Sequence, residues 1–140
     1  RAYQKEISLS EGVEEFLDYC KAHNIFIAIL TNGRPKSQYA KVIALDLHRW
    51  FDDDHIFISG GIGYQKPDPM AFQYIEKMFS LNPEETWYIG DTYEADVVGA
   101  DGAGWHTVWF NHRNRERLEN CADVTVRSIE ELSRFIKERS

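Results

Sequence analysis

Asp91 and Asp96 stand five positions apart in Gly90-Asp-Thr-Tyr-Glu-Ala-Asp96, directly after an apolar run. One carboxylate at a strand end and another in the first turns of the next helix would suit a hard, oxygen-seeking cation such as magnesium. Helix capping accounts for Asp91 and dipole complementarity for Asp96, but capping explains one acid well and both poorly. Lys66 comes immediately before Pro67-Asp68-Pro69, which fixes a cation on a stiff segment close to a helix start. Alone, it would read as a solvated loop lysine. Thr31 and Asn32 bring a hydroxyl and an amide ahead of Gly33, where a tight turn can turn N–H groups toward an anion. Taken singly, that too is an ordinary strand-to-helix turn.

These residues need elements to position them, and the chain supplies strands that alternate with helices. Ser10 to His23 puts Val13, Phe16, Leu17 and Cys20 on one helical face, with Asn24 closing it. Ile25 to Leu30 is a continuous apolar run, as in a strand buried on both faces, and Thr31-Asn-Gly33 ends it. Pro35 suits the first turn of a second helix whose Tyr39, Val42, Ile43 and Leu47 share a stripe. His55 to Ser59 reads as a strand, Gly60 to Pro67 as a loop, and Asp68-Pro69 as the start of a helix burying Phe72, Ile75 and Phe79. Thr86 to Ile89 is a third strand, Tyr93 to Ala103 a helix, His106 to Phe110 a fourth strand and Val124 to Arg127 a fifth. Ser128 and Glu131 form a capping box for a last helix with Ile129, Leu132, Phe135 and Ile136 on its inner face. This alternation predicts an α/β fold with a Rossmann-like parallel sheet and right-handed crossovers, residues 1–140 counting as one domain. Open sheets of that kind bind ligands outside the carboxyl ends of their strands, where Thr31, Lys66 and Asp91 fall.

Composition narrows the partners. With 23 acidic and 16 basic residues the net charge is −7, which sets most of the surface against nucleic acid and anionic membranes. A content of 43% hydrophobic and 14% aromatic residues supports a packed core rather than disorder. The longest apolar run is far short of the roughly 20 residues that span a bilayer. Cys20 and Cys121 form neither a zinc pattern nor a disulfide framework, so a cytoplasmic, reducing location is expected.

The segments "LTNG", "KPDP" and "GDTYEAD", in that order and at strand ends, resemble motifs two, three and four of the haloacid dehalogenase superfamily of phosphohydrolases. The resemblance runs from the helix at Ser10 to the strand at Val124. "FISGGIGYQKPDP" and "GDTYEADVVGADGAGW" are most similar to the branch of nucleotidases and small-metabolite phosphatases. It implies that Thr31 and the backbone of Asn32 bind the transferring phosphoryl group and that Lys66 neutralises its charge. By the same resemblance, Asp91 ligates Mg2+, and Asp96 binds the ion through water or orients Lys66. Cation and lysine would then share the charge spread over three phosphoryl oxygens.

The family's nucleophilic aspartate, with a second acid two residues later after a leading apolar strand, has no counterpart here. Asp52-Asp53-Asp54 has the spacing but follows Trp50-Phe51 in a loop, and it reads as a solvated acidic turn. The chain starts at Arg1 rather than Met, and its first helix resembles the point where the family's cap domain returns to the core. The expectation is the C-terminal part of a larger phosphatase that works through an aspartyl-phosphate on a small phosphorylated metabolite, a nucleotide among the candidates. The alternative is a nucleophile-less binding or scaffold module. A phosphate-accepting receiver domain would need an acidic pair at the end of its first strand, and "ILTNG" has none. The leading strand should lie between the first and third strands, its place taken by an N-terminal segment or a second copy, since bare edges recruit partners. The cap would read the substrate. Trp105, Trp109, Tyr64 and Tyr93 read as packing before substrate rim, and His106, His112 and Arg113 as loop residues before an anion site. Asn111, at the end of the fourth strand, would face the same crevice.

Overall fold

The computed structural model describes residue 9 and residues 11–139; Ser10, where the first helix is expected to open, lies outside them. The chain divides into two compact units, Arg1–Gly61 and Ile62–Ser140.

In the first unit, α1 (Val13–Ala22) follows Gly12, whose φ of 89° suits glycine. Asn24, at φ 54°, ends the helix as expected, its N–H donating to the Lys21 carbonyl at 3.2 Å. Leu17 packs with Trp50 and Phe51, and Trp50 donates its indole N–H to Asp18 at 2.7 Å. Only Ile29–Thr31 of the apolar run becomes strand β1, pairing in parallel with β2 (Ile56–Ile58). The expected strand from Ile25 is therefore shorter and shifted, because the ladder can extend no further than its partner. The Ile27 carbonyl instead meets the His55 ring nitrogen at 2.9 Å, and Phe26 is 43% exposed. Pro35 opens α2 (Pro35–Ala44) as expected. The predicted stripe breaks up, however: Val42 is buried, Ile43 is 61% exposed, and Leu47 falls in a separate 3-10 turn after Asp46 at φ 54°. Adjacent helical positions are about 100° apart, so Val42 and Ile43 cannot both face inward. The loop expected from Gly60 begins as a helical turn, α3 (Ser59–Ile62), where Gly60 donates to the Gly33 carbonyl at 3.0 Å.

The second unit holds a three-stranded parallel sheet of β3 (Trp87–Gly90), β4 (His106–Phe110) and β5 (Val124–Val126), in that order. Trp87 is level with His106, Gly90 with Trp109 and Phe110 with Val126. Before it runs α4 (Pro69–Phe79), whose cap Asp68 accepts from the Met70 N–H at 2.9 Å. Phe72, Val97 and Val108 are almost wholly buried, each worth about 1.5–3 kcal/mol of apolar transfer. Between β3 and β4 the expected single helix is a π-helical turn (Tyr93–Val98) leading into α5 (Gly99–Gly102). Gly99 permits close packing there: a Cβ would come 2.8 Å from the Phe72 ring and 3.0 Å from Pro67 Cα. Wide turns of this kind recur at functional sites. After β5, Ser128 Oγ accepts from Glu131 N at 3.1 Å and caps α6 (Ile129–Arg139). The Glu131 carboxylate takes the N–H of Arg127, one residue before the one a standard box would use. The strands and helices alternate and every strand pair described is parallel, so the fold is α/β.

Candidate active site

The carboxyl end of β3 carries the densest chemistry of the second unit. Lys66 Nζ reaches Asp96 Oδ1 at 2.6 Å and Tyr88 Oη at 2.9 Å, with the Lys66 and Asp96 side chains 11% and 7% exposed. The other Asp96 oxygen accepts the Thr92 N–H at 3.0 Å, so the carboxylate ties the lysine to the turn after β3. Burial works against the Lys66 ammonium, but the Tyr88 phenol and the Asp96 carboxylate outweigh it and raise its pKa. Burial raises the Tyr88 pKa as well, keeping the phenol neutral beside the ammonium. Gly90 makes room for the arrangement, since a Cβ there would collide with the Asp96 carboxyl.

Asp91 is placed differently, with its side chain 40% exposed. Its carboxylate lies 3.2 Å from His112 Nε2 and 3.4 Å from Arg113 Nη2, and accepts from the Thr92 hydroxyl at 3.2 Å. Burial would raise its pKa, but these hydrogen bonds and the Arg113 charge hold it below the usual carboxylate range. Its backbone carbonyl accepts the Trp109 indole N–H at 3.2 Å.

In the first unit, Gln38 Nε2 donates to Thr31 Oγ1 at 2.6 Å, leaving the Thr31 hydroxyl proton to donate elsewhere. Gly33 N–H donates to Ser59 Oγ at 2.9 Å, and Asn32 is exposed between them. Thus the second unit brings Lys66, Asp91 and Asp96 to one turn, and the first holds Thr31 and Asn32 at the end of β1.

Other candidate residues settle elsewhere. Trp105 is core, donating to Glu76 at 3.0 Å and packing edge-on to Phe72. Trp109 and Tyr93 pack together, and Tyr93 Oη accepts from Cys121 N at 2.7 Å. Tyr64 is half-buried. His106 opens β4, as the strand reading has it, and stacks on Trp87 at 4.7 Å, at the end of the strand opposite the carboxyl edge. Asn111 spends its side-chain amide on the backbone of Arg115, accepting from N and donating to O at 2.9 Å each. Asp53 and Asp54 lie in an exposed 3-10 turn (Asp53–His55), the acidic turn expected of them. Tyr88, Gln38 and Ser59 are the positioning groups that the motifs did not mark. Tyr88 and Gly90 share a strand face two residues apart, a periodicity legible beforehand; Gln38 and Ser59 had no such signal.

A family model for haloacid dehalogenase-like hydrolases matches residues 1–104. The chain belongs to that family. It is 31% identical over 125 residues to glyceraldehyde 3-phosphate phosphatase of Pyrococcus furiosus, covering 86% of this chain and 51% of that protein. It is 35% identical over 130 residues to phosphoserine phosphatase of Thermus thermophilus, covering 92% and 51% respectively. Among solved structures, the haloacid dehalogenase-type hydrolase YfnB of Bacillus subtilis, bound to magnesium, superposes with a TM-score of 0.78 at 29% identity. That match covers 91% of this chain and 56% of the other. The chain spans about half the length of the curated relatives it matches.

The donor set suits the magnesium that the family implies. Mg2+ takes one or two carboxylates and keeps several waters. Each carboxylate has partners on both oxygens, but those of Asp91 are half-exposed and held at 3.2–3.4 Å, whereas Asp96 is buried against Lys66. Among the described residues no cluster of three or more His, Cys, Asp or Glu side chains is placed to hold a metal ion.

Proposed function

We propose that this haloacid dehalogenase-like chain supplies the phosphate-binding and magnesium-binding side chains of a phosphatase acting on a small phosphomonoester. The observation that carries the reading is the buried Lys66–Asp96 pair at the same turn as half-exposed Asp91. Support comes from relatives named for two small phosphorylated metabolites and from the magnesium in a structural neighbour.

In this reading Lys66 presents its ammonium to the phosphoryl oxygens, Thr31 donates its hydroxyl proton to one of them, and the Asn32 backbone assists. Asp96 orients Lys66, and Asp91 holds the ion directly. Bound magnesium would stabilise negative charge as it develops on the phosphoryl group. An aspartate from outside these 140 residues attacks phosphorus, the P–O bond to the leaving alcohol breaks, and water then hydrolyses the aspartyl-phosphate. That aspartate and the leading strand come from an N-terminal segment or a second copy, and residues 1–140 form one core domain. Two free cysteines accord with a cytoplasmic setting, and no helix among the described residues is long and apolar enough to cross a membrane.

The test is a phosphomonoester panel run on the longer protein with and without magnesium, alongside Asp91→Asn. Magnesium-dependent release of phosphate, lost in the variant, is expected, with no turnover by the 140-residue chain. Robust turnover by that chain would overturn the placement of the nucleophile. A longer protein that binds phosphate but never turns over would favour the scaffold reading. Intact mass and a sizing column on the sample distinguish an added segment from a second copy.

A further inference from the structure

Past the ends of β4 and β5 lies a cleft of about 610 Å³ that the candidate active site does not use, lined in part by Trp109, Arg115, Arg117, Asn120 and Arg127. The chain carries a net charge of −7, yet this cleft gathers three arginines against a single acid, Glu116. Such a local reversal of sign concentrates small anions where the rest of the surface repels them.

The three guanidinium groups are not equivalent. Arg117 is committed: Nη2 pairs with Glu94 at 3.0 Å, and the group lies 3.8 Å from the centre of the Tyr93 ring. Among the described residues the Arg127 guanidinium has a neutral partner and no ion pair, donating to Asn114 Oδ1 at 3.0 Å, while the Glu131 carboxylate lies on its backbone N–H. The Arg115 guanidinium has no hydrogen-bond or ion-pair partner among the described residues, although its backbone is anchored at both N–H and carbonyl. Asn111, 3% exposed, binds both its N–H and its carbonyl, and Asn114 at φ 53° closes the turn with its N–H on the Asn111 carbonyl at 3.2 Å. A buried amide thus fixes the backbone from which an unpaired cation projects. Asn114, in that same turn, also receives Arg127.

We propose that Arg115 and Arg127 form an oxyanion site, distinct from the Lys66 and Asp91 turn, that takes the phosphate group of a small molecule. Guanidinium forks match phosphate oxygens in pairs, and the strand-end position is where open α/β sheets take ligands. Arg117 with Glu94 forms the fixed rim, and Glu116 disfavours larger polyanions. The phosphate belongs either to the substrate, as a second anionic group, or to a separate small ligand.

Inorganic phosphate titrated into the longer, isotope-labelled protein is the probe, with amide shifts as the readout. Saturable shifts are expected at Arg115, Asn120 and Arg127, about tenfold weaker in affinity for Arg115→Gln and absent for Arg115→Gln/Arg127→Gln. Both side chains are exposed, and retained spectral dispersion elsewhere confirms the fold of each variant. Shifts that are linear in phosphate, or that survive the double substitution, would overturn the site. A raised KM in Arg115→Gln confined to substrates with a second anionic group assigns the phosphate to the substrate. An unchanged KM alongside lost phosphate binding assigns it to a separate ligand, and either result supports the site. Because the readout is binding at these amides, failure here is distinguishable from failure of the phosphatase reading.

Discussion

Thr31 and Lys66, both proposed as phosphate-binding groups, are held by different forces in the two units. Lys66 sits in a buried ion pair whose partner, Asp96, also closes the turn after β3. Thr31 is steadied by a neutral amide, Gln38, on a helix face beside an exposed turn. The ionic arrangement is costly to disturb because each charge has been taken out of water and depends on the other. The neutral one can exchange its partner for water at little cost. Burial and pairing thus hold the Lys66 charge in place, and one neutral hydrogen bond holds the Thr31 hydroxyl.

The sharpest way to break this contrast is Lys66→Met, which leaves the Asp96 carboxylate buried with the Thr92 N–H as its one remaining partner among the described residues. A loss of about 3–5 kcal/mol in urea unfolding is expected, partly recovered in Lys66→Met/Asp96→Asn. A cost below about 1 kcal/mol would mean that the pair is no more demanding than the Thr31 contact. Gly90→Ala comes next: its methyl group would displace Asp96, and overpacking of this kind costs about 1–3 kcal/mol, read as a fall in thermal midpoint. On the neutral side, Gln38→Ala should cost about 0.5–1.5 kcal/mol and leave the Lys66 environment unchanged by NMR.

The smallest effect lies at an exposed hydrogen-bonded carboxylate of the first unit, Asp53, a surface counterpart to buried Asp96. Hydrogen bonds from His48 and Tyr39 hold the exposed Asp53 below the ordinary value of 3.8. A depressed carboxylate adds stability that is present above the unfolded value and is lost as pH falls through the folded one, below about pH 4. Carboxyl NMR should show a titration midpoint under 3.8 that rises in His48→Ala, with no measurable change in stability at pH 7.

Much of the arrangement was legible from local rules. Asp68 caps its helix, Pro35 opens another and Asn24 closes a third, because each depends on backbone groups within a few residues. The alternation that gives an α/β fold is likewise a periodic pattern. Strand extent was not legible: Ile25 to Leu30 reads as one run, but its hydrogen bonds depend on a partner 27 residues later. The π-helical turn at Tyr93–Val98 was missed for a similar reason, since the tight packing of Gly99 on Phe72 involves separate elements.

The sequence by itself determined which chemical groups stand at strand ends: Thr31 after one apolar run, Lys66 before a rigid proline pair, and Asp91 after another run. Residue type, spacing and turn chemistry are local, so no fold is needed to read them. Only tertiary structure decided how those groups divide the work. Asp91 and Asp96 are the same residue type five positions apart, yet one is 40% exposed beside two basic side chains and the other is buried against Lys66. Their environments diverge because burial and charged partners set a carboxylate's behaviour, and His112, Arg113 and Lys66 all lie more than ten residues away in the chain.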